Sequence, residues 1–195
     1  MNLVPLVFSS GWASGVNAYL VVLVLGLADR GGDFEQIPDQ LARTDVLVAA
    51  AVLFVGEFVV DKVPYLDSTW DAISTVIRPT VAAVIALLVS GEATSLQQAG
   101  YAVLGGGTAL ASHSVKAGSR LAINASPEPF SNWTASLAED GLVVAVVLLV
   151  INHPWIALTI TAVLLVAGLS LLFWLMGRIR RGWRRWKGRT VRSTA

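Results

Sequence analysis

From Gly141 to Gly177 the chain runs 37 residues without an Asp, Glu, Lys or Arg. A run of this kind has no charged face to turn to water, and it is nearly twice the roughly 20 residues that carry a helix across about 30 Å of hydrocarbon. Asn152-His153-Pro154 supplies a turn signal inside it. The run is therefore expected to hold two spans, at about 135–151 and 155–177. Leu3 to Ala28 is a second uncharged run of 26 residues, and it lacks the basic leading segment of a signal peptide. It is read as the first span, 3–28. Ala93 to Val115 gives another, 93–115.

Two further helices reach spanning length only by passing through charged residues. Val46 to Gly56 and Thr80 to Ser90 are each uncharged for 11 residues, about 17 Å of helix. Spans at about 46–64 and 72–90 follow if the helices continue through Glu57 and Asp61, and through Arg78. The expected fold is an all-α polytopic transmembrane helix bundle of about six spans over residues 1–177, with a basic tail at 178–195. With only 14% of its residues charged and 55% hydrophobic, such a chain is not expected to be a soluble enzyme.

The formal charge of +1 hides an asymmetry. The tail carries eight of the fourteen Lys and Arg and no acid, whereas residues 1–177 carry six bases against thirteen acids, a charge of −7. An even number of spans puts both termini on one side, and the positive-inside rule then assigns the N-terminus and the C-terminus to the cytoplasm. Arg180, Arg181, Arg184, Arg185 and Lys187, interleaved with Trp183 and Trp186, follow directly on a spanning helix. They read as a lipid-surface segment for anionic lipids rather than a nucleic-acid site. Cysteine is absent and only His113 and His153 are present. Disulfides and thiolate sites are excluded, and no metal or other cofactor is expected.

Charges inside the membrane are expensive, roughly 2.5 to 3.5 kcal/mol each on insertion scales, so they mark function or compulsory pairing. Counted from the outer ends of the expected helices, Glu57, Arg78, Glu139 and Asp140 all fall about 17 Å deep. A second group lies nearer the cytoplasm: Glu57 and Asp61 share a helix face at i, i+4, as do Lys116 and Arg120, with His113 three residues before Lys116. Acids of the second helix can thus meet bases of the fourth. Lys62, Asp67 and Asp71 are read as solvated at the interface. Two readings of the buried groups stand side by side, structural ion pairs that lock helices or a site for a proton, ion or solute.

The segments Asp61-Lys-Val-Pro64 to Arg78-Pro79 and Asn124-Ala-Ser-Pro127 to Glu139-Asp140 share an order of charged helix end, Pro turn, Trp and mid-membrane charge. They form a candidate internal, pseudo-symmetric repeat whose register, parallel or inverted, is open. In the first helix, Gly11 and Gly15 make a small-xxx-small pair beside Ser14 and Asn17. This suits close packing, or a locally unwound helix whose backbone and Asn17 line a path.

Glu57-x3-Asp61-Lys62-x-Pro64-x2-Asp67-x2-Trp70-Asp71, with His113-x2-Lys116-x3-Arg120-x3-Asn124-x-Ser126-Pro127-Glu128-Pro129, resembles the bacterial DUF4126 membrane-protein family over about residues 5–175. The resemblance implies a membrane fold and a bacterial inner membrane location, and no substrate. The expected function is a secondary transporter or channel-like permease for a small polar or ionic solute, a homodimer, and not an enzyme. In that reading Glu57, Glu139 and Asp140 carry the proton or cation and Arg78 is the counter-charge. His113, Lys116 and Arg120 form a cytoplasmic anion-attracting vestibule, Asp61 is a further ion-binding candidate, and Asn17 lines the path. The alternative is a non-transporting scaffold or assembly factor, for which no water-filled cavity should reach the charges.

Overall fold

The computed structural model describes residues 3–32, 34, 36–63, 66–91, 93–124 and 129–190, without the side chains of 67, 68, 124, 129, 131, 132 and 182–190. Among them the protein is all-helical. The elements are α1 (Val4–Gly32), α2 (Asp39–Ala42), α3 (Thr44–Val60), α4 (Leu66–Val89), α5 (Ser95–Asn124), α6 (Pro129–Asn152) and α7 (Pro154–Thr190). Pro154 starts α7 where its missing N–H costs nothing. The Pro turns expected at Pro64 and Pro127 lie outside the described residues. Pro79 sits within α4 without ending it, and its absent N–H leaves the Thr75 carbonyl without its helical donor.

Helix α1 is long and apolar enough to cross a membrane, but it doubles back. Asn17 is extended, with φ −152° and ψ 98°. Its Oδ1 accepts the N–H of Leu20 at 3.0 Å, the bond by which an Asn caps the start of a helix. The first half, residues 4–16, runs alongside α5: Gly11 is packed on Gly105 and Gly15 on Ala109 and Ser112. The second half, residues 18–32, returns toward the start of α3. Gly26 meets Leu41 and Leu47, and Arg30 bonds the Ala42 carbonyl and the Thr44 hydroxyl, both at 2.6 Å. Leu3 lines one groove with residues of the 36–40 segment, the α4–α5 turn and Tyr101. Both ends of α1 therefore lie at the same end of the bundle, here called the entry end, together with the starts of α3, α5 and α7. About 20 Å of helix leads down to Asn17 and about 22 Å leads back.

This path differs from the expected continuous span 3–28, which is broken at Asn17. Only α3 to α7 run from end to end, so Val4 lies at the entry end and Thr190 toward the other. The positive-inside count could not separate the two arrangements, because the first 28 residues contain no Lys or Arg. Burial agrees with the hairpin: 78% of the most apolar stretch of α1 is buried, against 11% for α7. The hairpin is a central element surrounded by the others. Residues Leu20 to Leu25 pack with Ile85, Val143, Val146, Val147 and Val150 into one apolar core, which fills the entry half. By length and apolarity α1, α4, α6 and α7 qualify as spans. α3 has 17 residues, and α5 has 30 with its polar half below Ser112.

The cysteine-free chain makes this path testable by single replacements. Val4→Cys and Gln36→Cys are expected to react with a membrane-impermeant maleimide from one face of the membrane, and Arg181→Cys from the other. Labelling of Val4→Cys and Arg181→Cys from the same face would restore the continuous span.

Candidate functional site

The tip of the α1 hairpin lies against most of the charged residues of the bundle interior. Breaking a helix frees backbone groups that must be satisfied elsewhere. Leu20 N–H would have bonded the Val16 carbonyl, but it is taken by Asn17. Val16 O instead accepts Lys116 Nζ at 3.0 Å, and Gly15 O accepts Arg78 Nη1 at 3.1 Å. The carbonyl end of a helix carries partial negative charge, so two cations are suitable partners. On the other side of the break, Asn17 Nδ2 donates to Asp140 Oδ1 at 3.0 Å.

Around the tip the two charged layers expected from depth counting form one network. Arg78 donates through Nη2 to Glu57 Oε1, and the same nitrogen lies 3.4 Å from Asp71 Oδ1. Lys116 Nζ is 2.9 Å from Asp61 Oδ2, 3.5 Å from Glu139 Oε2 and 3.7 Å from Glu57 Oε1. Arg120 donates to both oxygens of Glu139, at 3.3 and 2.6 Å, and to the Asp61 carbonyl at 3.2 Å. His113 Nδ1 accepts from Arg78 Nη1 at 2.7 Å. Its proton must then sit on Nε2, which faces the Asp71 carbonyl at 3.0 Å, so the ring is the neutral Nε2–H tautomer. Thr75 Oγ1 donates to that same carbonyl at 2.9 Å.

Charge does not balance within this network. Five carboxylates, Glu57, Asp61, Asp71, Glu139 and Asp140, face three bases, Arg78, Lys116 and Arg120. The formal sum is −2, and counting the half-buried Lys62, which bonds the Phe58 carbonyl at 2.9 Å, still leaves an excess of acid. Glu57 Oε2, Asp61 Oδ1 and Arg78 Nε are buried without a hydrogen-bond partner, and buried ionic groups are ordinarily satisfied. Two cavities reach the network from opposite sides. One of about 140 Å³ is lined by Lys116 and Glu139. The other, of about 170 Å³, is lined by Asp71 and Thr75. Toward the entry end the network is closed by the contact of Gly11 with Gly105 and by the apolar core above it.

All nine interior residues singled out in the sequence are thus neighbours in one network, with some changes of partner. Arg78 meets Glu57 but not Glu139 or Asp140, which pair with Arg120 and Asn17. His113, Lys116 and Arg120 are 1%, 4% and 1% exposed. They are bound to acids and carbonyls, so the expected open anion-attracting vestibule is not formed. Asp71, expected to be solvated, is 4% exposed and belongs to the network; its spacing with Thr75 and Arg78, at i, i+4 and i+7 on one helix face, was the available signal. The Gly15 and Val16 carbonyls had no side-chain signal at all. In the tail, Arg180 and Arg181 are exposed, whereas the side chains of Arg184, Arg185 and Lys187 lie outside the described residues. The backbone there continues α7 as a helix to Thr190.

A family model described as a domain of unknown function (DUF4126) matches residues 4–174, a range that takes in the α1 hairpin and every member of the network. Neither a curated protein nor a solved structure matches the chain.

Proposed function

We propose, from the premise that the chain belongs to the DUF4126 family, that this membrane protein is a secondary transporter or channel-like permease for a small solute, driven by a proton or cation at the α1 break. The observation that carries this reading is the excess of buried acid at a discontinuous helix tip flanked by two cavities. Irregular backbone at membrane depth is tolerated where it is covered by protein or lines a polar cavity, and in transporters it marks binding sites. Buried negative charge in excess is stable there only if it binds protons or cations. A scaffold held by ion pairs has no use for that excess.

In this reading Glu57, Asp61, Asp71, Glu139 and Asp140 share the mobile positive charge, Arg78 and Lys116 tie it to the α1 carbonyls, and Arg120 holds Glu139 to the end of α3. Movement of the hairpin changes the distance of Asn17 from Asp140 and of Gly15 and Val16 from the two bases together. Glu139, 19% exposed, and Asp140 face the less closed side, so the network is reached from the tail end while the glycine contact shuts the entry end. With the basic tail on anionic lipid at the cytoplasmic face, the closed side is external.

Purified protein in proteoliposomes with an imposed proton or cation gradient tests the assignment. Glu57→Gln removes one negative charge while keeping shape and is expected to abolish coupled flux in a protein that still folds, Asp71 remaining beside Arg78. Flux at the wild-type rate in that variant would refute the assignment.

A further inference from the structure

We propose that the cavity of about 140 Å³ beside Glu139 binds a small organic cation, an ammonium group on a short apolar body. Its charged and hydroxyl-bearing wall is Ser112, Lys116 and Ser119 of α5 with Glu139 of α6. The hydrogen-bonding capacity of that wall is one-sided. Lys116 spends its donors on Val16 O and Asp61 Oδ2 and has Glu139 Oε2 at 3.5 Å. Ser112 Oγ donates to the Trp12 carbonyl at 2.8 Å and Ser119 Oγ to the Lys116 carbonyl at 2.7 Å. Lys116, Ser112 and Ser119 have thus used their donors. What remains are acceptors: the lone pairs of the two hydroxyls, and those of Glu139, whose carboxylate has about four acceptor sites and gives only part of them to Arg120.

A ligand that satisfies these acceptors must bring donors, and the surplus negative charge of the network favours one that also brings positive charge. The remaining walls, Val16, Val115, Leu142, Leu164 and Leu165, are apolar and suit a hydrocarbon body. Leu142 is 38% exposed on the outside of the bundle, so the apolar wall continues to the surface that faces lipid, a route open to an amphiphile. At about 30 Å³ of liquid volume per water-sized group, the cavity takes roughly five heavy atoms. The inference rests on the transport reading for the ligand's role, but not for its binding.

Isothermal titration calorimetry of the full-length protein in nanodiscs, with n-butylammonium, n-butanol and butyrate as probes, tests it. Butylammonium is expected to bind at least tenfold more tightly than the other two. Glu139→Gln should weaken it tenfold or more, and Leu165→Phe, which fills the apolar wall without touching the ion network, should do the same in a protein that melts normally. Equal binding of butanol or butyrate, or unchanged affinity in Leu165→Phe, would overturn the proposal. The transport reading fails separately: ammonium binding without flux in proteoliposomes sinks transport and leaves this site, whereas flux without ammonium binding sinks this site and leaves transport.

Discussion

Gly15→Ala is expected to destabilise the protein by more than about 3 kcal/mol, while Gly56→Ala is expected to be neutral or stabilising by about 0.5–1 kcal/mol. Both replacements add one methyl group to a helical glycine. At Gly56 the new atom meets nothing within 4 Å, and only the gain in helix propensity remains. At Gly15 it would overlap Ser112 Oγ and the Ala109 carbonyl and lie 2.9 Å from His113 N. The serine can rotate, although that breaks its bond to the Trp12 carbonyl. The α5 backbone cannot, so α1 must withdraw. Withdrawal lengthens the bonds from Arg78 to Gly15 O and from Lys116 to Val16 O, and hydrogen bonds to charged groups contribute about 1.5–3 kcal/mol each. Thermal unfolding of the two variants in the same detergent measures the contrast. Equal midpoints would show that α1 does not sit on α5 as described.

The same contact explains how much of the architecture is legible in the chain. Charge-free runs announce helices in a membrane, and they do so without reference to neighbours. Whether such a helix crosses or turns back depends on one residue, Asn17, whose capping bond to Leu20 is worth only about 1 kcal/mol. That bond prevails because Arg78 and Lys116, 61 and 99 residues further on, replace the lost carbonyl partners. No local pattern carries that information. Small residues at positions 11 and 15 were readable as a packing surface, which they form against α5, while the break in the helix falls further on, at Asn17.

Depth counting worked where helices are straight and failed at their ends. Glu57 and Arg78 stand 11 and 12 residues from the expected outer ends of their helices, and they are ion-paired. Glu139 has a similar depth, but it reaches Arg120 and Lys116 because α6 and α5 present those side chains toward each other below the α1 tip. Depth restricts a partner to a layer, while rotation about each helix axis selects it. Asp71 escaped attention for the opposite reason. It lies near a helix start, where solvent is the ordinary expectation, and Arg78 two turns later draws it inward.

Exchanging Glu57 and Arg78 separates an ion pair that transports from one that only holds helices together. Arg78→Met alone leaves Glu57 and Asp71 without their main partner inside the bundle, and breaking a buried pair in this way costs on the order of 3–5 kcal/mol. Glu57→Arg alone sets two cations beside Lys116 and is expected to cost a similar amount. In the double variant, Glu57→Arg with Arg78→Glu, the pair is restored in reverse. The thermal midpoint should recover part of the way, giving a coupling energy of up to about 3 kcal/mol in the mutant cycle. Recovery stays incomplete because a glutamate at position 78 cannot donate to Gly15 O or to His113 Nδ1, as the arginine does. Flux should not recover at all, since the positive charge that α1 carbonyls hold at the hairpin tip has moved to α3. A swapped protein that regains stability and full flux together would mean that the pair is structural and that the mobile charge is carried elsewhere in the network.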